Sequence, residues 1–282
     1  MIDLGIRQLA AAGLAAGLWL ASLTPLPAAT EPDDPWPDLM ANVFPGRTLE
    51  DGKGLIGLEM PTRAEDAAIV PTTVRLTLPA GDARQLRVLT LIVDRNPAPV
   101  AATFKVGPDA GITEIATRVR VDTYTNVHAV AELSDGKLYV VQTYVKASGG
   151  CSAPAAKNAE EAKATIGQMR LRQFTEKTQA PKDGPISRAT REAQIMVRHP
   201  NHSGLQRDQI THLYVPAHFV SELHVWQGDR LMLSVEGGIS ISEDPNIRFN
   251  FAANGATTFR AEAKDTNGQA FKGEWPVDAS GT

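Results

Sequence analysis

The sequence predicts an all-β protein of two sandwich domains joined by a linker, and three observations carry that reading. Short apolar or alternating runs recur between turn residues, with no long helical period. The runs fall into two series, divided by the polar stretch TEKTQAPKDGPISRAT with its Pro181, Gly184 and Pro185. Each series has about the number and spacing of strands that a two-sheet sandwich needs.

Taken in order, the chain opens with Arg7, an apolar segment from Leu9 to Leu26 and a small-residue exit at LPAAT. That is the order of a secretory signal, assigned to residues 1–30. Export implies a periplasmic address in a Gram-negative cell, with no membrane attachment once the signal is cleaved. EPDDPWP then reads as an extended tether as far as Leu39.

Expected strands of the first domain, residues 36–174, are Leu55–Met60, Val74–Leu78, Leu86–Val93, Val100–Val106, Ile112–Val121, Val127–Leu133 and Leu138–Val145. Val74, Leu76 and Leu78 alternate with Arg75 and Thr77, which marks a half-buried strand. SDGK, Ser134–Lys137, supplies the Asp-Gly of a tight hairpin between the last two runs. Asn158–Gln168, rich in Ala and Glu, predicts a short helix capped by Asn158, and Met169–Phe174 one more strand. After the linker, 175–191, the second domain, 192–279, carries Ala193–Arg198, Thr211–Val215, Val220–Trp226, Arg230–Glu236, Ile247–Phe251, Thr258–Lys264 and Ala270–Trp275.

Composition removes several functions. With a formal net charge of -4 the chain lacks the electrostatic footprint of a nucleic-acid binder. GKGLIG, Gly52–Gly57, matches a dinucleotide-loop pattern, but Pro45 and Gly46 stand before it and Pro61 after it, so it reads as a glycine-rich entry to a strand. His199 and His202 lie three apart in HPNHSG, followed by His212, His218 and His224. With no C-x-x-C or H-E-x-x-H they are expected to bond backbone in turns, so no metal and no cofactor is assigned. No G-x-S-x-G elbow occurs. Arg118, Arg120, Glu132, Arg248 and Glu262 alternate with apolar neighbours and are expected on solvated strand faces. Trp36, Trp226 and Trp275 read as core or interface filling.

One residue stands apart. Cys151 is the only cysteine of 282 residues, in YVKASGGCSAP. An exported chain with one cysteine cannot close its own disulfide, so the thiol is free, joined to another molecule or modified. Gly149, Gly150 and Ser152 surround it with minimal side chains, and Pro154 removes a backbone donor. This predicts an accessible, reactive thiol. Lys146 and Lys157 are its nearest charges in sequence and would lower its pKa.

YVKASGGC resembles the C-terminal segment of SoxY, which ends in Gly-Gly-Cys-Gly-Gly, and residues from about Trp36 to Phe174 are similar to that protein. RHPNHSGLQRD, VPAHF and ISISEDPNIRFNF are similar to SoxZ, over about Glu192 to Val277. Their order on one chain resembles fused SoxYZ-like carriers associated with quinoprotein dehydrogenases. The resemblance implies two immunoglobulin-like sandwiches and a covalent carrier whose cysteine, here Cys151, holds sulfur intermediates as S–S adducts while separate enzymes act on them. Where SoxY ends in two further glycines, this chain has Ser152 and Ala153 and continues. A terminal arm becomes a loop held at both ends.

The leading expectation is therefore a periplasmic, non-enzymatic carrier: Cys151 as attachment point, Gly149, Gly150 and Ser152 giving access, and the second domain docking periplasmic sulfur-oxidising enzymes or a quinoprotein dehydrogenase system. The alternatives are a thiol-dependent enzyme in which a second-domain histidine activates Cys151, and a non-catalytic interaction module with an incidental cysteine.

Overall fold

Alternation sets the faces of the strands. In β3 (Val70–Leu76) every second residue, Val70, Thr72, Val74 and Leu76, turns inward, while the β4 run (Leu86–Val93) is buried along most of its length. The computed structural model describes residues 34–154, 159–175 and 191–278. The expected signal, Lys157, the Asn158 cap and most of the linker lie outside the described residues.

Before β3 come helix α1 (Trp36–Val43), β1 (Leu49–Asp51) and β2 (Ile56–Glu59). After β4 come β5 (Val100–Val106), β6 (Glu114–Val119), β7 (Thr125–Leu133), β8 (Leu138–Val145), α2 (Ala159–Thr165) and β9 (Met169–Thr175). The second series is β10 (Arg191–Val197), β11 (Val220–Gln227), β12 (Arg230–Gly237), β13 (Asn246–Phe251), β14 (Thr258–Asp265) and β15 (Ala270–Pro276).

The strands form two sheets, ordered β1-β8-β7-β4-β5-β12-β11-β14-β15 and β2-β3-β6-β13-β10-β9. The all-β, two-layer expectation holds. The halves, however, are fused side by side. β5 pairs antiparallel with β12, from Val106 against Leu233 to Ala102 against Gly237. In the other sheet Ala116 and Ile115 of β6 face Arg248 and Phe249 of β13. Each sheet therefore runs from one half into the other, and Leu89, Phe104 and Ile115 share one hydrophobic cluster with Phe249, Phe251 and Phe259. A Cβ on Gly107 would lie 1.8 Å from the Leu231 carbonyl oxygen, so the seam needs glycine there.

Several expectations change. The stretch read as a tether contains α1, which starts next to Pro35 and holds Trp36 flat on His128, ring centroids 3.5 Å apart. The aromatic residue, not local propensity, ties this short helix to the sheet. Met169–Thr175 is a strand but pairs with β10, from Thr175 against Arg191 to Met169 against Val197, and so joins the second half. Thr211–Val215 forms no strand. Its apolar residues Leu213 and Tyr214, with Ile210 just before them, are 69%, 60% and 89% exposed, so no buried face holds the segment in a sheet. Instead Asp208 Oδ1 accepts from the amides of Ile210 and Thr211 and folds a turn.

Candidate functional site

β8 ends at Val145, and the chain then crosses the seam between the halves. Gly149 takes φ +79°, and its amide donates to the Asp122 carbonyl at 2.7 Å. The Gly150 amide donates to the Val121 carbonyl at 3.1 Å. Cys151 follows in a turn and is fully buried, a correction to the expected accessible thiol. Small residues do not leave the sulfur bare here; they let backbone close on backbone. A Cβ on Gly150 would fall 2.1 Å from the Ala67 carbonyl oxygen and 2.6 Å from that of Val121. Gly150 thus serves close packing, not flexibility. Of the residues expected to give access, Ser152 alone is exposed.

The turn is gripped from both sides. From the first half, Asp122 Oδ1 accepts from the Cys151 amide at 3.1 Å, and Arg120 Nη1 donates to the Gly150 carbonyl at 3.2 Å. From the second half, Ser203 Oγ donates to the Cys151 carbonyl, and Gln206 Nε2 donates to the Ala153 carbonyl at 2.9 Å. Arg120 Nη2 bridges across to the Asn201 carbonyl at 3.2 Å. Hydrogen bonds from both halves thus close the backbone of the turn over Cys151. Beside the turn lies a groove of about 550 Å³ lined by Ser152, Pro154, Leu205, Arg207 and Tyr214, among others.

Electrostatics keep the sulfur protonated. Burial pushes the Cys151 thiol up to about 12, with Asp122 adding to the rise and Arg120 opposing it. The lysine effect expected from sequence does not act on the thiol: Lys146 is engaged through its backbone with Ala64 and Thr62, and Lys157 lies outside the described residues. Arg120, expected on a solvated face, is 1% exposed. Glu132, Arg248 and Glu262 do form outward ion pairs with Arg47, Glu192 and Lys272.

The HPNHSG loop supplies the second-half grip. His199 Nδ1 accepts from the Asn201 amide at 3.0 Å, and His202 Nδ1 meets Gln206 Oε1 at 3.0 Å. Nε2 of His199, Nε2 of His218 and an Asp265 oxygen lie within 4.8 Å of one another, a grouping of metal-ligand type that sequence spacing does not reveal. Its protonation argues for a hydrogen-bonded cluster. Because His199 Nδ1 accepts from a backbone amide, the neutral ring carries its proton on Nε2 and has no lone pair there for a cation. His218 Nε2 and Asp265 Oδ2 bond at 2.7 Å. Beyond burial, the groups that shift the thiol are Asp122 and Arg120, with no histidine among them, so the alternative cysteine–histidine pairing has no support in the described residues.

Comparison with known proteins follows this division. The profile of the sulfur oxidation protein SoxY family matches residues 40–151 and that of the sulphur oxidation protein SoxZ family residues 181–276. The first match ends at Cys151. Among solved structures, the sulfur carrier protein SoxY from Chlorobium limicola f thiosulfatophilum is 26% identical, covering 40% of this chain and 91% of that one, with a TM-score of 0.34. A superoxide reductase (neelaredoxin) from Ignicoccus hospitalis is 12% identical over 32% of this chain and 78% of its own, with a TM-score of 0.28. No curated protein matches the sequence.

Proposed function

This chain is a fused SoxY–SoxZ protein, a sulfur-oxidation carrier and not a catalyst, and on that premise we propose that it carries a small sulfur-type intermediate covalently on Cys151, in the periplasm, for presentation to sulfur-oxidation enzymes. The observation that carries the reading is the place of the thiol: the sole cysteine, at the end of the SoxY match, in a turn held by side chains of the SoxZ-like half. Burial makes this a carrier that is closed when empty. Each hydrogen bond of the grip contributes about 0.5–1.5 kcal/mol net, so opening the turn costs a few bonds and leaves the sheets intact. A docking partner can offset a cost of that size. The exposed Ile210, Leu213 and Tyr214 lie in the segment that lines the groove beside the turn and give such a partner an apolar foothold. From the resemblance to fused SoxYZ-like carriers, a quinoprotein dehydrogenase system is the further partner we propose.

Intact mass of the protein taken directly from its native cell fraction tests this. Added sulfur, sulfonate or related mass on Cys151, absent from Cys151→Ser protein, supports the reading. An unmodified thiol throughout sulfur oxidation removes it. Full burial favours a second reading, an interaction module with an incidental cysteine, and an unchanged sulfur-oxidising phenotype in Cys151→Ser cells would select it.

A further inference from the structure

Arg120 follows β6 directly and heads the largest fully buried side chains of the protein. Among the described residues its Nη1 and Nη2 donate to the Gly150 and Asn201 carbonyls alone, and its Nε has no hydrogen-bond partner. Among the described residues it forms no ion pair. A buried guanidinium is expected to meet a carboxylate or phosphate, because removing charge from water is costly without one. Resting on the carrier reading of Cys151, we propose that Arg120 is the anion-holding group of the cysteine site, and that it selects cargo carrying negative charge over neutral cargo.

Two observations give this its direction. Burial lowers the Arg120 pKa, and a negative charge placed at Cys151 would oppose that, as Glu243 and Asp66 also do. The sulfur has no exposed surface, so loading follows movement of the turn. Withdrawing the Gly150 carbonyl frees Nη1, so that Nη1 and the unpartnered Nε both have an N–H to offer an oxyanion while Nη2 stays on the Asn201 carbonyl. Asp122 acts the other way: it accepts from the Cys151 amide and disfavours charge on the sulfur itself. Burial lowers the His202 pKa, with the nearby Arg120 charge a smaller contribution in the same direction, so His202 adds no negative charge. The proposal sets Arg120 against Asp122, and loading chemistry reads which of them decides.

Two probes separate charge from access. Tetrathionate loads an anionic group: the Cys151 thiolate attacks a central sulfur, a new S–S bond forms, the central S–S bond breaks, and thiosulfate leaves with the electron pair. The product is Cys–S–S–SO3⁻, and the thiol proton goes to solvent. Methyl methanethiosulfonate loads a neutral group by the same displacement, giving Cys–S–S–CH3 and methanesulfinate. Both need the turn to open, so the ratio of their rates cancels opening. At fixed ionic strength, that ratio should be about tenfold higher in folded wild-type protein than in urea-unfolded protein, the scale of a charge-assisted hydrogen bond. Arg120→Gln should bring the folded ratio down to the unfolded value, even if a looser turn raises both rates. An equal ratio in folded and unfolded wild type, or a ratio kept by Arg120→Gln, overturns the proposal. If Arg120→Gln does not fold, the wild-type comparison decides alone. A high folded ratio together with a native protein that never carries cargo overturns the carrier reading instead.

Discussion

Cys151 reacts only from a turn that has opened, and this gives it an unusual pH profile. Its pKa is raised to about 12 in the closed turn, against about 8.5 for a free thiol. The closed turn is therefore fully favoured below about pH 8.5 and loses stability as pH rises through about 12. The rate of alkylation by a neutral maleimide-type reagent should rise about tenfold per pH unit from 7 to 10. A rate that levels near pH 8.5 would mean that the thiol is open at rest. Ser203→Ala removes the second-half donor to the Cys151 carbonyl and should speed alkylation about fivefold at any one pH, the effect of losing about 1 kcal/mol of the grip. Sequence pointed to Cys151 and its glycines but missed the closure. Asp122 and Ser203 stand 29 and 52 positions away from the cysteine, and only folding brings them to it. The same side chains that looked too small to cover a thiol are what allow the backbone to cover it.

Among the elements, β14 couples strand alternation to the loop that grips the turn. Phe259, Ala261, Ala263 and Asp265 share its buried face, so the last inward position of an apolar row is a carboxylate. Asp265 Oδ1 accepts from the Asn267 and Gln269 amides of the following hairpin, and Oδ2 from His218. Burial pushes its pKa up, but these bonds together outweigh that and hold it below the usual carboxylate range. His199, packed beside them, is pushed down to about 4, first by burial and then by the His218 charge. A histidine depressed from 6.5 binds its proton more readily when unfolded, so its contribution is whole above pH 6.5 and is lost as pH falls to about 4. Urea unfolding should show a loss of about 3 kcal/mol across that window. His199→Gln should remove most of the slope; an unchanged slope would place the proton uptake elsewhere. Strands with strict alternation, such as β3 and β14, were legible from sequence because burial itself imposes the period. Thr211–Val215 carries strand-forming residue types as well but lies in the open, and residue types alone cannot tell a buried segment from an exposed one. Helix α1 is held by a ring stack on a residue of β7, which no local pattern records.

At the scale of the whole molecule, both sheets cross the seam, so the halves should behave as one cooperative body. Two domains tied only by residues 175–191 would unfold independently and part when the tie is cut. Here β5–β12 and β6–β13 pairing, with one apolar cluster beneath, holds them without it. A protease site engineered between Thr175 and Arg191 should give two fragments that elute together and melt in a single transition. Gly107 provides the matching test by mutation. Alanine there places a Cβ 1.8 Å from the Leu231 carbonyl oxygen, which is backbone and cannot turn aside. Gly107→Ala should cost about 1–3 kcal/mol, and far-UV and tryptophan signals should lose that stability together. Trp226 and Trp275 report on the second half and Trp36 on the first. Separate transitions would mean that the seam is a contact and not a shared core. The cysteine turn would then be gripped by a partner free to leave, and opening would need no more than the halves drifting apart. With the seam continuous, the turn must open against a fixed second half, and this is why the grip rests on side chains such as Ser203, Gln206 and Arg120 instead of on strand pairing that would have to be torn.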